Sequence, residues 1–438
     1  MLERLFALEA HGTSMRTEVL AGLTTFLTMI YIVVVNPLIL GDAGMPVGAV
    51  AIATCIAAGV GSLLMGLMAN VPLALAPGMG LNAYFTYTVV KGLGVPWQTA
   101  LGCVFISGAA FLVLTLVGAR QLIVNAIPRS LFAAVAGGVG LFIAFIGLQD
   151  AKIIVANSAT TVGLGDLASP TAITALVGLL VIGALLARKV RAAMLIGILV
   201  AACAGWVLGL VHPATSGFAP SELAATAFQL DPGAAFGLKG NLAVTLAEII
   251  FVFLFVDLFD NIGTLVAVTK RAGLVAADGT IPHLNRILLA DSIAAMIGAC
   301  MGTSTVTSYI ESAAGVSAGG RTGLTSVVVG VLFLATLLVA PIVQVVPTAA
   351  TAPALVLVGA LMVGAVAEVD WADPVVAIPA FLTMIAIPLT YSIANGLAFG
   401  IVSYAALTLL CGRARPKDWL LFLLAALFVA RFIYLANG

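Results

Sequence analysis

Long apolar segments recur along almost the whole chain, from Thr24 to Leu435, with short polar breaks between them. Each is close to the roughly 20 residues that an α-helix needs to cross a hydrocarbon core about 30 Å thick. Strands of a membrane barrel would alternate apolar and polar side chains, and an open sheet would leave backbone groups unpaired in lipid. The pattern therefore predicts an all-α polytopic membrane protein that resides in the lipid bilayer.

Windows of about 19 residues predict fourteen spans. We place them near residues 20–40, 47–69, 72–90, 97–117, 130–149, 170–187, 192–211, 241–269, 285–301, 303–316, 322–343, 352–367, 373–391 and 394–411. A further apolar segment, 418–435, lies outside the fourteen.

Two of these spans are interrupted. The segment "VPLALAPGMGLNAYFTYTVV" contains Pro72, Pro77, Gly78 and Gly80, so we expect extended backbone first and a helix from about Gly80. In "GTSTVTSYIESAAG" the Thr-rich start favours extended backbone, and we expect a helix from about Ser308 to Gly315. Broken helices of this kind direct backbone donors and the positive ends of helix dipoles toward the bilayer midplane.

The two breaks lie in two halves of the chain that look duplicated. "IVNAIP" ending at Pro128 and "IVQVVP" ending at Pro347 lie 219 residues apart, half of the 438-residue length. Seven spans separate the two copies, which predicts an inverted repeat, the arrangement of many secondary transporters. The predicted division of the chain is an N-terminal segment (1–19), a first repeat (20–211), an extracytoplasmic linker (212–240), a second repeat (241–411) and a C-terminal segment (412–438).

Basic residues predict the orientation. With a cytoplasmic N-terminus, all but four of the 18 Lys and Arg residues fall in inner loops or at inner span ends; the exceptions are Lys91, Lys152, Lys239 and Arg431. The protein is thus expected to be a multi-pass protein of the plasma (inner) membrane. The N-terminal residues lack the long apolar core and cleavage site of a secretory signal.

Composition narrows the possible chemistry. Only 8% of the residues are charged and the formal net charge is zero, which argues against a nucleic acid as partner. The five cysteines and three histidines are scattered without the spacing of a metal or haem site, so we predict no metal and no cofactor.

Carboxylates inside predicted spans are the main candidates for function, because they are costly in lipid unless they face a cavity or a partner. Asp257 and Asp260 lie three residues apart on one helical face near the middle of span eight, and Glu311 lies in broken span ten. Glu248 is close enough to the outer surface to snorkel, and Asp291 has Arg286 or Ser292 as possible structural partners.

Asn82, at the start of the half-helix of span three, is a further candidate, either for a ligand or for freed backbone groups nearby. The surrounding "GMGLNA" fits a dinucleotide-binding glycine pattern, but no soluble βαβ unit surrounds it. We interpret it as a helix break.

The segments "APGMGLNAYFTYTVV", "FVFLFVDLFDNIGTL" and "GTSTVTSYIESAAGVSAGGRTGL" resemble the signatures of the xanthine/uracil permease family of nucleobase–cation symporters, and most closely its azaguanine-type hypoxanthine, adenine and guanine branch. The resemblance implies two inverted seven-span repeats divided into a core (spans one to four and eight to eleven) and a gate (the remaining six). It also implies short antiparallel strands in spans three and ten, and a homodimer.

By the same resemblance, Asn82, Asp257 and Glu311 would bind the purine and Asp260 would be needed for transport. Tyr309 is expected to stack on the base, and Ser312 completes the candidate substrate-binding set. Carboxylates accept from the N–H groups of a purine, while the Asn82 amide and backbone N–H groups serve its ring nitrogens.

Burial raises the pKa of a carboxyl group, so such a group can carry a proton across. We therefore expect proton symport with alternating access, with Asp257, Asp260 or Glu311 as the coupling group. Transport of xanthine, uracil or an anion, and coupling to sodium, remain alternatives. A membrane enzyme using Asp257 and Asp260 is disfavoured, because no nucleophile–His set or metal cluster accompanies them.

Overall fold

The computed structural model describes residues 2–118, 128–210, 220–236, 241–274, 281, 283–338 and 346–437. The motifs that suggested a duplication, at 123–128 and 342–347, fall largely outside the described residues, as does much of the predicted linker at 212–240. The division of the chain into two repeats stays a prediction.

The chain is mainly helical. The helices are α1 (Leu2–Phe6), α2 (Met15–Met29), α3 (Ile32–Gly41), α4 (Val47–Ala69), α5 (Met79–Ala83, continued by a π-helix at Tyr84–Gly92), α6 (Trp97–Val117), α7 (Arg129–Asp150), α8 (Pro170–Ala187), α9 (Ala193–Val207), α10 (Pro232–Phe236), α11 (Asn241–Arg271), α12 (Leu284–Met301), α13 (Ser312–Ser317), α14 (Gly323–Ala335), α15 (Thr348–Val363), α16 (Pro374–Thr390), α17 (Ile393–Leu410) and α18 (Trp419–Asn437). The strands are β1 (Leu75–Pro77), β2 (Ile154–Asn157), β3 (Thr161–Leu164) and β4 (Val306–Ser308). Short 3₁₀ turns lie at Pro220–Ala225, Thr336–Leu338, Gly364–Glu368 and Pro416–Asp418.

Local sequence fixes several of the helix starts. The side chains of Ser14 and Ser169 accept backbone N–H groups at the starts of α2 and α8, and Asp373 does the same for α16. Pro170 and Pro374 occupy first-turn positions, where a missing N–H costs nothing. The capped helix starts coincide with the ends of polar segments, where the apolar pattern predicts that helices begin.

Nine helices within the described residues are long and apolar enough to cross a membrane. Shorter apolar helices lie at Ala193–Val207, Gly323–Leu338, Pro374–Thr390 and Trp419–Ile433. Every segment predicted as a span coincides with one helix, or with a strand and helix in sequence, and span one is divided into α2 and α3. These helices confirm a multi-pass helical architecture.

The helices pack as two groups. The core group contains α2 to α6 and α11 to α14, and the gate group contains α7, α8, α9, α15, α16 and α17. The antiparallel pair β2 and β3 follows α7 as an exposed hairpin. One cluster of buried apolar side chains contains residues of both groups, and small residues such as alanine and glycine allow helices to approach closely.

The two interrupted spans cross inside the core group. Strands β1 and β4 pair antiparallel, with Ala76 opposite Thr307, and both strands are fully buried. The predicted break in span three is confirmed, with the helix starting at Met79. The predicted helix start near Ser308 in span ten is wrong, because Ser308 pairs with Leu75 and the N–H of Tyr309 still bonds to the carbonyl of Ala74. Helix α13 therefore begins only at Ser312 and continues past Gly315 to Ser317.

Close contact between α4 and α14 depends on two glycines. A Cβ on Gly323 would lie 2.0 Å from the carbonyl oxygen of Gly66, and a Cβ on Gly66 would lie 2.4 Å from that of Gly323. Both obstacles are backbone atoms, so the helices themselves would have to separate.

We expect Gly323→Ala to lower the free energy of unfolding by about 1–3 kcal/mol through this overpacking. The thermal unfolding midpoint of purified protein in detergent measures the change. Gly183→Ala is the matched control, because no atom lies within 4 Å of the added methyl group. Equal midpoints for the two variants would contradict the expectation.

Candidate functional site

The strand crossing places the predicted site residues of spans three and ten together. The N–H of Gly78 bonds to the carbonyl of Thr305, which extends the β1–β4 ladder to the start of α5. A Cβ on Gly78 would lie 2.9 Å from the Thr307 side chain, so the crossing requires a small residue there. Helix α5 continues into the π-helix, a form that frequently marks functional sites.

Glu311 lies immediately before α13, at the far end of β4. Its Oε1 accepts a hydrogen bond of 2.8 Å from the hydroxyl of Tyr31. Tyr31 is 1% exposed and lies at the junction between α2 and α3, where the helix of span one breaks. One carboxylate oxygen is thus fixed by span one, while Glu311 itself is only partly buried. The carboxylate also accepts from its own backbone N–H, and a carboxylate has about four lone-pair sites, so it can accept from a ligand as well.

Asn82 belongs to a buried amide and hydroxyl network. Its Nδ2 donates to Oδ1 of Asn36 at 2.5 Å, and its Oδ1 accepts from the hydroxyl of Ser304. Asn36 in turn donates to the hydroxyls of Thr54 at 2.7 Å and Thr303 at 2.9 Å. All five side chains are fully buried. The network ties spans one, two, three and ten together, and the direct contact of Asn82 with a base stays a prediction.

Tyr309 and Ser312 both support strand β1 in this structure. The hydroxyl of Tyr309 donates to the carbonyl of Pro77, and the hydroxyl of Ser312 accepts the N–H of Ala74 at 3.0 Å. Stacking of Tyr309 on a base and binding by Ser312 also stay predictions. The polar atoms of both side chains hold the crossing in register.

The two aspartates of span eight lie on α11, which packs against β4 and α13. Asp257 is buried, with 3% of its surface exposed. Asp260 is more exposed and lines a small cavity. Asn261, next to it, accepts at its Oδ1 a hydrogen bond of 3.1 Å from Ser308 on β4. Through Asn261, the helix that carries both aspartates contacts the strand crossing.

The cavity beside Asp260 has a volume of about 30 Å³. Its lining residues come from both packing groups: Gly80, Leu81, Val256 and Asp260 from the core, and Phe132, Val135, Ala136, Val139 and Met362 from the gate. A volume of this size holds about two water molecules, which is too little for a bicyclic base.

Two carboxylates have partners that the sequence did not reveal. Glu248, for which the sequence allowed snorkelling to the outer surface, instead pairs with Arg431 at 2.5 Å. Glu18, which the sequence placed in the N-terminal segment, is fully buried and accepts from the N–H of Arg321 at 2.8 Å and the hydroxyl of Thr325 at 2.6 Å. It thereby joins α2 to the start of α14. Asp291 is also fully buried in the core group.

Comparison with known proteins places these features in a family. A model of the Permease family matches residues 16–433, almost the whole chain. The chain belongs to the Permease family. Permeases are transporters, so the protein is a transporter and not an enzyme.

Two relatives match over almost their whole lengths. The adenine permease AdeP of Escherichia coli (strain K12) is 44% identical over 99% of this chain and 96% of the relative. The guanine/hypoxanthine permease PbuG of Bacillus subtilis (strain 168) is 45% identical over 99% of this chain and 100% of the relative.

Among solved structures, the transmembrane domain of a cyanobacterium bicarbonate transporter, BicA, has a similar fold. Its TM-score is 0.64 at 13% sequence identity, covering 88% of this permease and 97% of that chain. At this identity the likeness concerns the fold alone.

Within the described residues of the permease, no group of three or more His, Cys, Asp or Glu side chains is placed to hold a metal ion.

Proposed function

We propose that this permease imports purine nucleobases (adenine, guanine and hypoxanthine) by proton symport. The observation that carries the proposal is Glu311, a carboxylate that follows the buried strand crossing and has one oxygen fixed by Tyr31. A planar base presents N–H donors to such a carboxylate. The names of AdeP and PbuG support the same substrate class.

The architecture we propose for this function is fourteen spans in two inverted repeats, with the N-terminus in the cytoplasm of a plasma membrane protein and a homodimer as the assembly. Core and gate would move relative to each other and expose the site to each side in turn. The small cavity at their interface supports this mechanism, because it joins the two groups beside Asp260.

The chemistry of the site supports proton coupling. Asp257, Asp260 and Glu311 are acidic groups close to the strand crossing, and a group that binds its proton on one side and releases it on the other couples the two fluxes. Sodium coupling is the second candidate, supported by the buried hydroxyls of Thr305 and Thr307, which have no hydrogen-bond partner within the described residues. Replacing sodium by choline during uptake separates the two.

Competition of uptake tests the substrate class. Proteoliposomes containing the purified permease receive labelled hypoxanthine together with an excess of unlabelled adenine, guanine, xanthine, uracil or bicarbonate. We expect adenine and guanine to suppress uptake. Suppression by bicarbonate, or by xanthine and uracil alone, would contradict the proposed substrates.

Tyr31→Phe tests the orientation of Glu311. Removing the hydroxyl leaves one carboxylate oxygen without its donor, and a hydrogen bond to a charged group contributes about 1.5–3 kcal/mol. We expect KM for hypoxanthine to rise about tenfold or more, with the amount of folded protein unchanged. Tyr404→Phe, on gate helix α17, is the control. An unchanged KM in Tyr31→Phe would show that Glu311 does not need this partner.

A further inference from the structure

The C-terminal helix α18 contains a guanidinium inside an apolar sequence. Arg431 lies in "WLLFLLAALFVARFIYLAN", and its side chain is only 15% exposed. An ionised group in such surroundings is retained when it faces a partner rather than lipid. The partners of Arg431 therefore indicate what the helix does.

Arg431 contacts both packing groups. One terminal nitrogen lies 2.5 Å from Oε1 of Glu248 on core helix α11, and the other donates to Oδ1 of Asn395 on gate helix α17 at 3.2 Å. The Glu248 side chain is 17% exposed, so the ion pair is largely shielded. A single side chain thus bridges the helix that carries Asp257 and Asp260 to the gate.

Aromatic contacts pack α18 against both core helix α11 and gate helix α17. The ring of Phe428 meets that of Phe251 on α11 with centroids 5.9 Å apart, and Phe432 lies 5.9 Å from Phe399 on α17. The guanidinium also lies 5.1 Å from the centre of the Phe432 ring. Helix α18 is therefore fixed to both groups near the Arg431 bridge.

A second bridge joins core and gate in the proposed outer half. The hydroxyl of Thr88 in the π-helix donates to the carbonyl of Tyr391, at the end of gate helix α16, at 2.5 Å. Tyr391 is held within the gate by edge contacts of its ring with Phe142 and Phe145. In the proposed orientation, both bridges lie toward the extracytoplasmic ends of their helices.

We propose that Arg431 is a positioning residue that clasps core to gate on the outer side and stabilises the arrangement in which the site is closed to the outside. This inference rests on the proposed orientation and on alternating access. When core and gate separate on that side, Arg431 cannot keep both Glu248 and Asn395. A contact made in one arrangement only shifts the equilibrium between the two.

The test measures the separation of core and gate directly. Spin labels are attached to cysteines introduced at Leu93 in the core and Leu164 in the gate, which are 51% and 73% exposed, after replacement of the native cysteines. Pulsed electron paramagnetic resonance then gives the distance distribution of the substrate-free protein in nanodiscs. The labelled parent must retain the thermal unfolding midpoint of the wild type.

The main variant is Glu248→Gln with Arg431→Met, which removes both charges and leaves neither one buried alone. We expect the population of the longer distance to rise at least about fivefold, as for a typical coupling between conformational states. Reversal of the pair, Glu248→Arg with Arg431→Glu, should return the distribution toward that of the parent. An unchanged distribution in the neutral variant would overturn the proposal.

Two further variants keep the test decisive. Asn395→Ala leaves the ion pair intact and removes only the gate acceptor, so it should shift the distribution in the same direction even if the neutral variant fails to fold. Asp373→Asn with Arg413→Met removes an exposed ion pair of the C-terminal half that does not involve the core, and it should change nothing. If Asn395→Ala leaves the distances unchanged, the clasp does not act on the gate.

The distance measurement separates this inference from the proposed function. It uses no substrate, so absence of purine uptake by the wild type would refute the function while the distances still decide the clasp. Normal uptake with unchanged distances in all clasp variants would refute the clasp alone.

Discussion

Glu311→Gln is expected to lower kcat/KM for hypoxanthine uptake by about 100-fold or more. The substitution preserves size but removes the charge and replaces one acceptor oxygen by an amide donor. Two hydrogen bonds to a charged group contribute about 3–6 kcal/mol together, and each 1.4 kcal/mol is a factor of ten. The initial rate of uptake into proteoliposomes, at matched protein content, measures the loss.

The control for this substitution lies on α13, the short helix that begins directly after Glu311. Ser317 is exposed, and its hydroxyl only donates to the carbonyl of Ala313 at 2.6 Å. Ser317→Ala should therefore transport like the wild type. Glu311→Gln with wild-type kinetics would contradict the role of Glu311 in binding, whereas loss in both variants would indicate damage to α13.

Asp260→Asn is expected to abolish accumulation of the base while exchange of internal for external base continues. Asp260 lines the cavity between core and gate, where a carboxylate can gain and lose a proton as the two groups move. An amide cannot carry that proton. We expect uptake driven by a pH gradient to fall at least about tenfold, with exchange within about twofold of the wild type.

Two assays on the same proteoliposome preparations measure this difference. Gradient-driven uptake reports coupling, and exchange at equal pH reports binding and movement of the loaded carrier. Asp166→Asn, in an exposed loop, is the matched control because its carboxylate only accepts a local backbone N–H. Retention of gradient-driven accumulation by Asp260→Asn would exclude Asp260 as the proton carrier.

The sequence predicts the parts of this architecture that follow from local chemistry. Pro77 and Gly78 interrupt span three, and the Thr-rich segment before Tyr309 becomes strand β4, because these residues disfavour helix at their own positions. Asp260 and Glu311 are candidates from the sequence because a carboxylate in an apolar span is energetically costly unless it faces a cavity or a partner. Both lie beside the crossing of the strands or the adjoining cavity.

The partners of these residues could not be predicted in the same way. Tyr31 and Glu311 are 280 residues apart, and an apolar span with one tyrosine does not indicate which carboxylate its hydroxyl reaches. Glu248 and Arg431 are likewise joined only by the packing of α18 against α11. The helix start in span ten was misplaced because the ladder between β1 and β4 extends one residue beyond Ser308.

The most direct test of purine–proton symport at this site is uptake of labelled hypoxanthine into proteoliposomes with and without an imposed pH gradient, acidic outside. The wild type should accumulate hypoxanthine above equilibrium only with the gradient, and an uncoupler should abolish that accumulation. Glu311→Gln should not accumulate hypoxanthine under either condition. Accumulation that is indifferent to the gradient and the uncoupler, or that persists in Glu311→Gln, would contradict it.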